Sequence, residues 1–194
     1  MGGGGQPRSR YNTRKNGLRS PGAHRSVMTD FARKICLLGD FGVGKTSLVA
    51  RYVRNTFSEK YLTTVGVKVD SKEVQTAAGP SKLVIWDIAG KSALDHLNQT
   101  YLRGASGLML VADGTREPTL RAALYLMMQA KSLLQDPACV VLINKLDLID
   151  RWEILPGTLT ELRKTVPVFE TSARTGDGVE AAFTRLAEDL RQGA

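Results

Sequence analysis

The chain has 194 residues, of which 42% are hydrophobic and 24% charged, and a formal net charge of +8; that length suits one core plus an extension and excludes two full domains as the expectation. Cys36 and Cys139 lie in apolar runs and His24 and His96 are isolated, which excludes a disulfide framework, a zinc spacing and a histidine metal cluster. No apolar run approaches the length that spans a bilayer, so a soluble, cytoplasmic protein is expected.

Residues 1–30 carry Arg8, Arg10, Arg14, Lys15, Arg19 and Arg25 against Asp30 alone, so +5 of the charge sits there and only +3 in the other 164 residues. With four consecutive glycines and few apolar residues, this stretch reads as a basic disordered N-terminal tail ahead of one domain over 31–194. A specific nucleic-acid partner is not expected, because the charge belongs to the tail. A merely solvating tail is the expected case, and a weak electrostatic contact with an anionic membrane, at most about 1 kcal/mol per basic residue near the surface, is its alternative. The opening Met1-Gly2 lacks the Ser or Thr that an acylation signal wants at Gln6. Asn98-Gln99-Thr100 reads as a chance glycosylation pattern, with no secretory signal before it.

From Phe31 the element types alternate. A strand over about Arg33–Leu38 leads through a glycine-rich loop to a helix over about Lys45–Arg54. A polar connection follows, then two β-like runs, Val65–Thr76 and Lys82–Trp86, joined by a turn at Ala77–Ser81. Strand and helix then alternate through Gly107–Ala112, Pro118–Leu134, Ala138–Ile143, Thr158–Lys164, Val166–Phe169 and Gly178–Leu190. The pattern predicts an α/β fold: a six-stranded, mostly parallel sheet with helices on both faces. In such a sheet, ligands bind beyond the carboxyl ends of the strands.

The loop after the first strand, Gly39–Thr46, fits G-x-x-x-x-G-K-[ST], whose backbone N–H groups wrap a polyphosphate at a helix N-terminus. Asp40, Phe41, Gly42, Val43, Gly44, Lys45, Thr46 and Ser47 are the expected phosphate-binding residues, with Lys45 on the β- and γ-phosphates and the Thr46 hydroxyl on Mg²⁺. Asp87 follows the apolar run Leu83–Trp86, where a carboxylate can hold Mg²⁺, and Gly90 can offer an N–H to a γ-phosphate. Read alone, Asp87 is an ordinary turn residue; beside a phosphate loop it reads as functional. In Asn144-Lys145-Leu146-Asp147 the aspartate can accept from the ring N–H and the exocyclic amine of guanine, an arrangement adenine cannot supply.

Together, GDFGVGKTS (Gly39–Ser47), Thr64-Val65-Gly66, WDIAG (Trp86–Gly90), NKLD (Asn144–Asp147) and TSA (Thr171–Ala173) resemble the motifs of the Ras-superfamily small GTPases, closest to the Rab branch, over about Arg33–Leu190. The resemblance implies a P-loop NTPase fold of the small G-protein type, GTP and GDP as ligands, and Mg²⁺ held by Thr46, Thr64 and Asp87. It implies a guanine site made by Phe57, Asn144, Lys145, Asp147, Ser172, Ala173 and Arg174. Its catalytic group would comprise Lys45, Thr64, Gly90 and Lys91. It further implies a monomer whose switch loops bind effector proteins and which meets activating and exchange proteins.

Three positions depart from the family pattern. Lys91 stands where a glutamine orients the attacking water, and lysine has no acceptor for that task. Phe41 replaces a small residue, and its ring is expected to crowd an arginine supplied by a partner. The end, Arg191-Gln192-Gly193-Ala194, carries no cysteine for prenylation. The expectation is slow hydrolysis, at or below about 10⁻⁴ s⁻¹; the alternative is a non-hydrolysing, GTP-bound interaction module acting as a scaffold.

Overall fold

The computed structural model describes residues 1–4, 32–59, 63–77, 79–90 and 99–192. Its elements are β1 (Ala32–Leu38), α1 (Lys45–Arg54), β2 (Val67–Thr76), β3 (Gly79–Ile88), α2 (Gln99–Leu102), β4 (Gly107–Asp113), α3 (Pro118–Leu133), β5 (Ala138–Asn144), a 3₁₀ turn (Leu146–Arg151), α4 (Pro156–Leu162), β6 (Val168–Thr171) and α5 (Val179–Gln192). The six strands form one sheet in the order β2-β3-β1-β4-β5-β6. Only β2 runs antiparallel to its neighbour, β3; the other pairs are parallel.

The strand sequences explain the layering. Along β1, Ile35 and Leu37 face one layer while Cys36 and Leu38 face the other, the period-2 alternation of a strand. Because both faces are covered, β4 and β5 read as unbroken apolar runs rather than alternating ones. On one face Leu48, Val49 and Tyr52 of α1 meet Val179, Ala182, Phe183, Leu186, Ala187 and Leu190 of α5, spaced as one helical stripe. Tyr52 stacks on Phe183 with ring centroids 3.8 Å apart, and burying a ring of that size contributes about 1.5–3 kcal/mol. On the other face Leu120, Ala123, Leu126 and Ala130 of α3 pack with Leu108, Leu110, Val141 and Ile143. Helices on both faces are therefore the observed architecture.

Differences from the predicted elements are local. Gly79, Pro80 and Ser81, expected in a turn, begin β3, with Thr76 paired to Gly79. Pro80 is tolerated because β1 joins β3 only from Lys82 onward, so its missing N–H breaks no bond on that side. β3 also extends past Trp86 to Ile88, which puts Asp87 inside the strand. The helix expected at Thr158–Lys164 begins at Pro156 and ends at Leu162, and β6 starts at Val168 rather than Val166. Among the described residues no helix is long and apolar enough to cross a membrane.

The consequence for function is geometric. β1, β3, β4, β5 and β6 are parallel, so their carboxyl ends, Leu38, Ile88, Asp113, Asn144 and Thr171, share one edge of the sheet.

Candidate functional site

At that edge the chain turns from β1 into α1 through Gly39–Gly44. Gly44 has φ +98, and a Cβ there would lie 2.3 Å from Nδ2 of Asn144, the atom that donates to the Val43 carbonyl at 2.9 Å. Left-handed strain and the broken bond act together, so Gly44→Ala is expected to cost about 2–4 kcal/mol. Thermal denaturation should show a Tm drop of roughly 5–15 °C for a domain of this size.

Lys45, the first residue of α1, is 6% exposed; its Nζ donates to the carbonyls of Gly39 (2.8 Å) and Asp40 (2.9 Å). The ammonium thus lies under the loop, beside the positive end of α1, where an anion is favoured. Burial pushes Lys45 down to about 8, against the opposing pull of Asp87 and Asp40. A bound polyphosphate stabilises the charged form, so above pH 8 its binding must take up a proton. Affinity for a phosphate ligand is therefore expected to be flat below about pH 8 and to fall by up to roughly tenfold per unit above it. Binding titrations from pH 6.5 to 9.5 check this.

Three oxygens converge next to the loop. Thr46 Oγ1 lies 2.6 Å from Thr64 Oγ1 and donates to Asp87 Oδ2 at 2.5 Å. Asp87 is 1% exposed, and its Oδ1 has no hydrogen-bond partner. Burial raises this carboxyl above the ordinary carboxylate range, more than the Thr46 bond and the Lys45 charge lower it. An orphaned carboxylate oxygen beside two hydroxyls is a costly arrangement without a cation and a fitting one for Mg²⁺, which takes hard oxygen donors with few carboxylates.

Across the edge, Asn144 ends β5 and Lys145 follows with φ +71. Asn144 Oδ1 accepts from the Ala173 N–H at 3.2 Å, so the amide ties the β5 loop to both the phosphate loop and the β6 loop. Asp147 Oδ1 accepts from the buried Ser172 hydroxyl at 2.6 Å, while Oδ2 has the Arg174 guanidinium 3.9 Å away. Ser172 also receives the Thr175 N–H. It is a support for Asp147 rather than a wall of the site.

A cleft of about 540 Å³ runs through these loops. Phe41, Gly42, Gly44, Lys45, Thr46, Ser47, Phe57, Thr64, Gly90, Asn144, Lys145, Asp147, Ala173 and Arg174 line it. Four sequence-predicted residues lie behind its wall. Asp40 caps the loop by accepting the Phe41 N–H, Val43 is fully buried in the core, Ser172 supports Asp147, and Asp87 sits beneath Thr46. Lys91 lies outside the described residues. Gly90 is pressed onto the phosphate loop; a Cβ on it would come within 2.5 Å of the Phe41 nitrogen.

Two contributors escape a motif reading. Asp113, at the end of β4 and fully buried, accepts from Lys145 Nζ (2.6 Å), Arg116 Nε (2.9 Å) and the Thr115 hydroxyl (2.8 Å). Burial pushes its carboxyl up, but these hydrogen bonds outweigh it and hold it below the usual range. Arg116 also donates to the Phe41 carbonyl at 3.0 Å, so Asp113 links the NKLD loop to the phosphate loop. The signal was present: Asp113 ends the apolar run of β4 much as Asp87 closes that of β3. The second is Arg51, a helix arginine with no sequence signal, which binds the carbonyls of Ala173 and Arg174.

Residues 34–192 match the family model described as Ras family. The chain is 35% identical over 166 residues to the Ras-related protein Rab-1 of Theileria annulata, covering 84% of this chain and 76% of that protein. It is 35% identical over 173 residues to Rab-27B of Rattus norvegicus, with 82% and 79% covered. It is 32% identical over 167 residues to RABE1e of Arabidopsis thaliana, with 84% and 77% covered.

Proposed function

The chain belongs to the Ras family, in its Rab branch, and from that premise we propose that it is a guanine-nucleotide switch that binds GTP and GDP with Mg²⁺, hydrolyses GTP slowly and governs effector binding through its switch loops. The observation that carries this reading is the cluster of Thr46, Thr64 and Asp87 oxygens beside the buried Lys45, in a cleft that also contains Asp147. Membership of a GTPase family supports hydrolysis over a purely non-hydrolysing module.

In this reading Lys45 and the N–H groups of Gly42 to Ser47 neutralise the phosphates, and Thr64 and Gly90 close on the γ-phosphate and order the switch loops. Thr46, Thr64 and Asp87 would hold Mg²⁺, whose positive charge would offset that of the phosphates when bound. Asp147 accepts from guanine, Phe57 packs on the ring edge, and the N–H group of Arg174 serves its carbonyl, while the Ala173 N–H, expected in that role, is instead taken by Asn144. Catalysis is positioning and charge stabilisation, so the weak step is alignment of the water. Lys91 offers no acceptor for it, and Phe41 lines the same cleft as Gly90. The domain acts as a monomer in the cytoplasm, meets activating and exchange proteins, and its basic segment 1–30 adds only a weak contact with anionic membranes.

Release of a fluorescent GDP tests the reading. Chelation by EDTA is expected to speed release at least about tenfold, since it strips the cation that Asp87 and the two threonines hold. Excess GTP or GDP, but not ATP, should compete. Release at one rate with and without EDTA would argue against the metal set.

A further inference from the structure

Arg51 lies on α1, outside the cleft, yet its one guanidinium gathers carbonyls from two separate segments. Nε donates to the Ala173 carbonyl at 2.9 Å and Nη2 to the Arg174 carbonyl at 2.5 Å. Nη1 reaches the Asn55 carbonyl at 3.3 Å and its side-chain oxygen at 3.0 Å. Asn55 is the left-handed residue (φ +51) that ends α1, immediately before the connection that carries Phe57 and Thr64. Arg51 therefore fastens the β6 loop to the exit of the phosphate-loop helix. Only a planar fork with five donors can hold this many acceptors at once; an ammonium has a single centre.

The orientation of one peptide follows. Among the described residues no peptide bond is cis, so in the unit joining Ala173 to Arg174 the N–H points opposite the carbonyl. The Ala173 carbonyl is turned back toward Arg51 and α1. The Arg174 N–H is thereby turned to the opposite side, and both Ala173 and Arg174 line the cleft that Arg51 does not enter. The neighbouring Ala173 N–H already donates to Asn144.

We infer that Arg51 is a positioning residue for base recognition: by holding the Ala173 and Arg174 carbonyls from behind, it fixes the Arg174 N–H as a donor to the carbonyl at C6 of a bound guanine. This rests on the guanine reading of the cleft, in which Asp147 takes the N1 and exocyclic-amine edge. The two contacts read different atoms of the base, so they separate experimentally.

The test compares GDP with 6-thio-GDP, whose C6 substituent is a poor acceptor, and with IDP, which lacks the exocyclic amine. Affinities are measured for the wild-type chain, Arg51→Ala and Arg51→Lys. Wild type is expected to prefer GDP over 6-thio-GDP by about tenfold or more, since the poor acceptor leaves the fixed donor without a good partner. In Arg51→Ala that preference is expected to shrink to within about threefold, while the preference for GDP over IDP, set by Asp147, stays unchanged. Arg51→Lys, keeping one of the bonds, should fall between them; it carries the comparison if Arg51→Ala does not fold. Equal weakening of all three ligands, the mark of a merely structural role, overturns the inference, as does an unchanged GDP to 6-thio-GDP ratio. Wild-type protein that binds no guanine nucleotide, or does not distinguish GDP from IDP, overturns the guanine reading, and the inference falls with it.

Discussion

Replacing Asp147 by alanine is expected to reduce the preference for GTP over ATP from about 10⁴–10⁵ to within roughly tenfold. The size of the effect comes from unpaired polar groups. Asp147 is held by Ser172 through one carboxylate oxygen, and its other oxygen has only the distant Arg174 guanidinium, so the side chain is fixed in place while an acceptor stays open to a ligand. In the proposed reading guanine fills that acceptor with N–H donors, whereas adenine presents a different edge and leaves the carboxylate unmatched. Alanine removes the penalty against adenine together with the bonds to guanine. Ser172 keeps its bond from the Thr175 N–H, so the loop should survive the substitution. Competition binding of GTP and ATP to both proteins measures it, and a preference that persists in Asp147→Ala would move base recognition elsewhere.

The second large effect is expected at Phe41. Its ring lines the cleft at 37% exposure, its backbone nitrogen is packed against Gly90, and its carbonyl is held by Arg116. The position is therefore fixed on two sides, and in the proposed reading its ring in the cleft crowds an arginine that a partner supplies to the phosphates. Such an arginine is worth about 10³–10⁵ in rate. Phe41→Gly is expected to recover acceleration by an arginine-donating activating protein that wild type cannot use. Equal acceleration of both forms would mean that the ring leaves the approach open.

Much of this was legible in the residues, because the signals were local. The buried run ICLL before GDFGVGKTS and the apolar stripe after it place β1 and α1 almost to the residue. The unbroken runs of β4 and β5 announced strands covered on both faces. What periodicity misses depends on partners far along the chain. Gly79–Ser81 reads as a turn until β2 supplies ten paired residues and β1 is seen to join only from Lys82. Asp113 acquires its role from Lys145, 32 residues later, and Arg51 from carbonyls more than 120 residues away. The short α2 and the 3₁₀ turn carry too few residues for a helical period to register.

Single-turnover hydrolysis of GTP by the purified chain is the sharpest check on a guanine-nucleotide switch with slow turnover. The expected wild-type rate is at or below about 10⁻⁴ s⁻¹, with faster hydrolysis in Phe41→Gly and in Lys91→Gln. Brisk wild-type turnover, unchanged by either substitution, would contradict it.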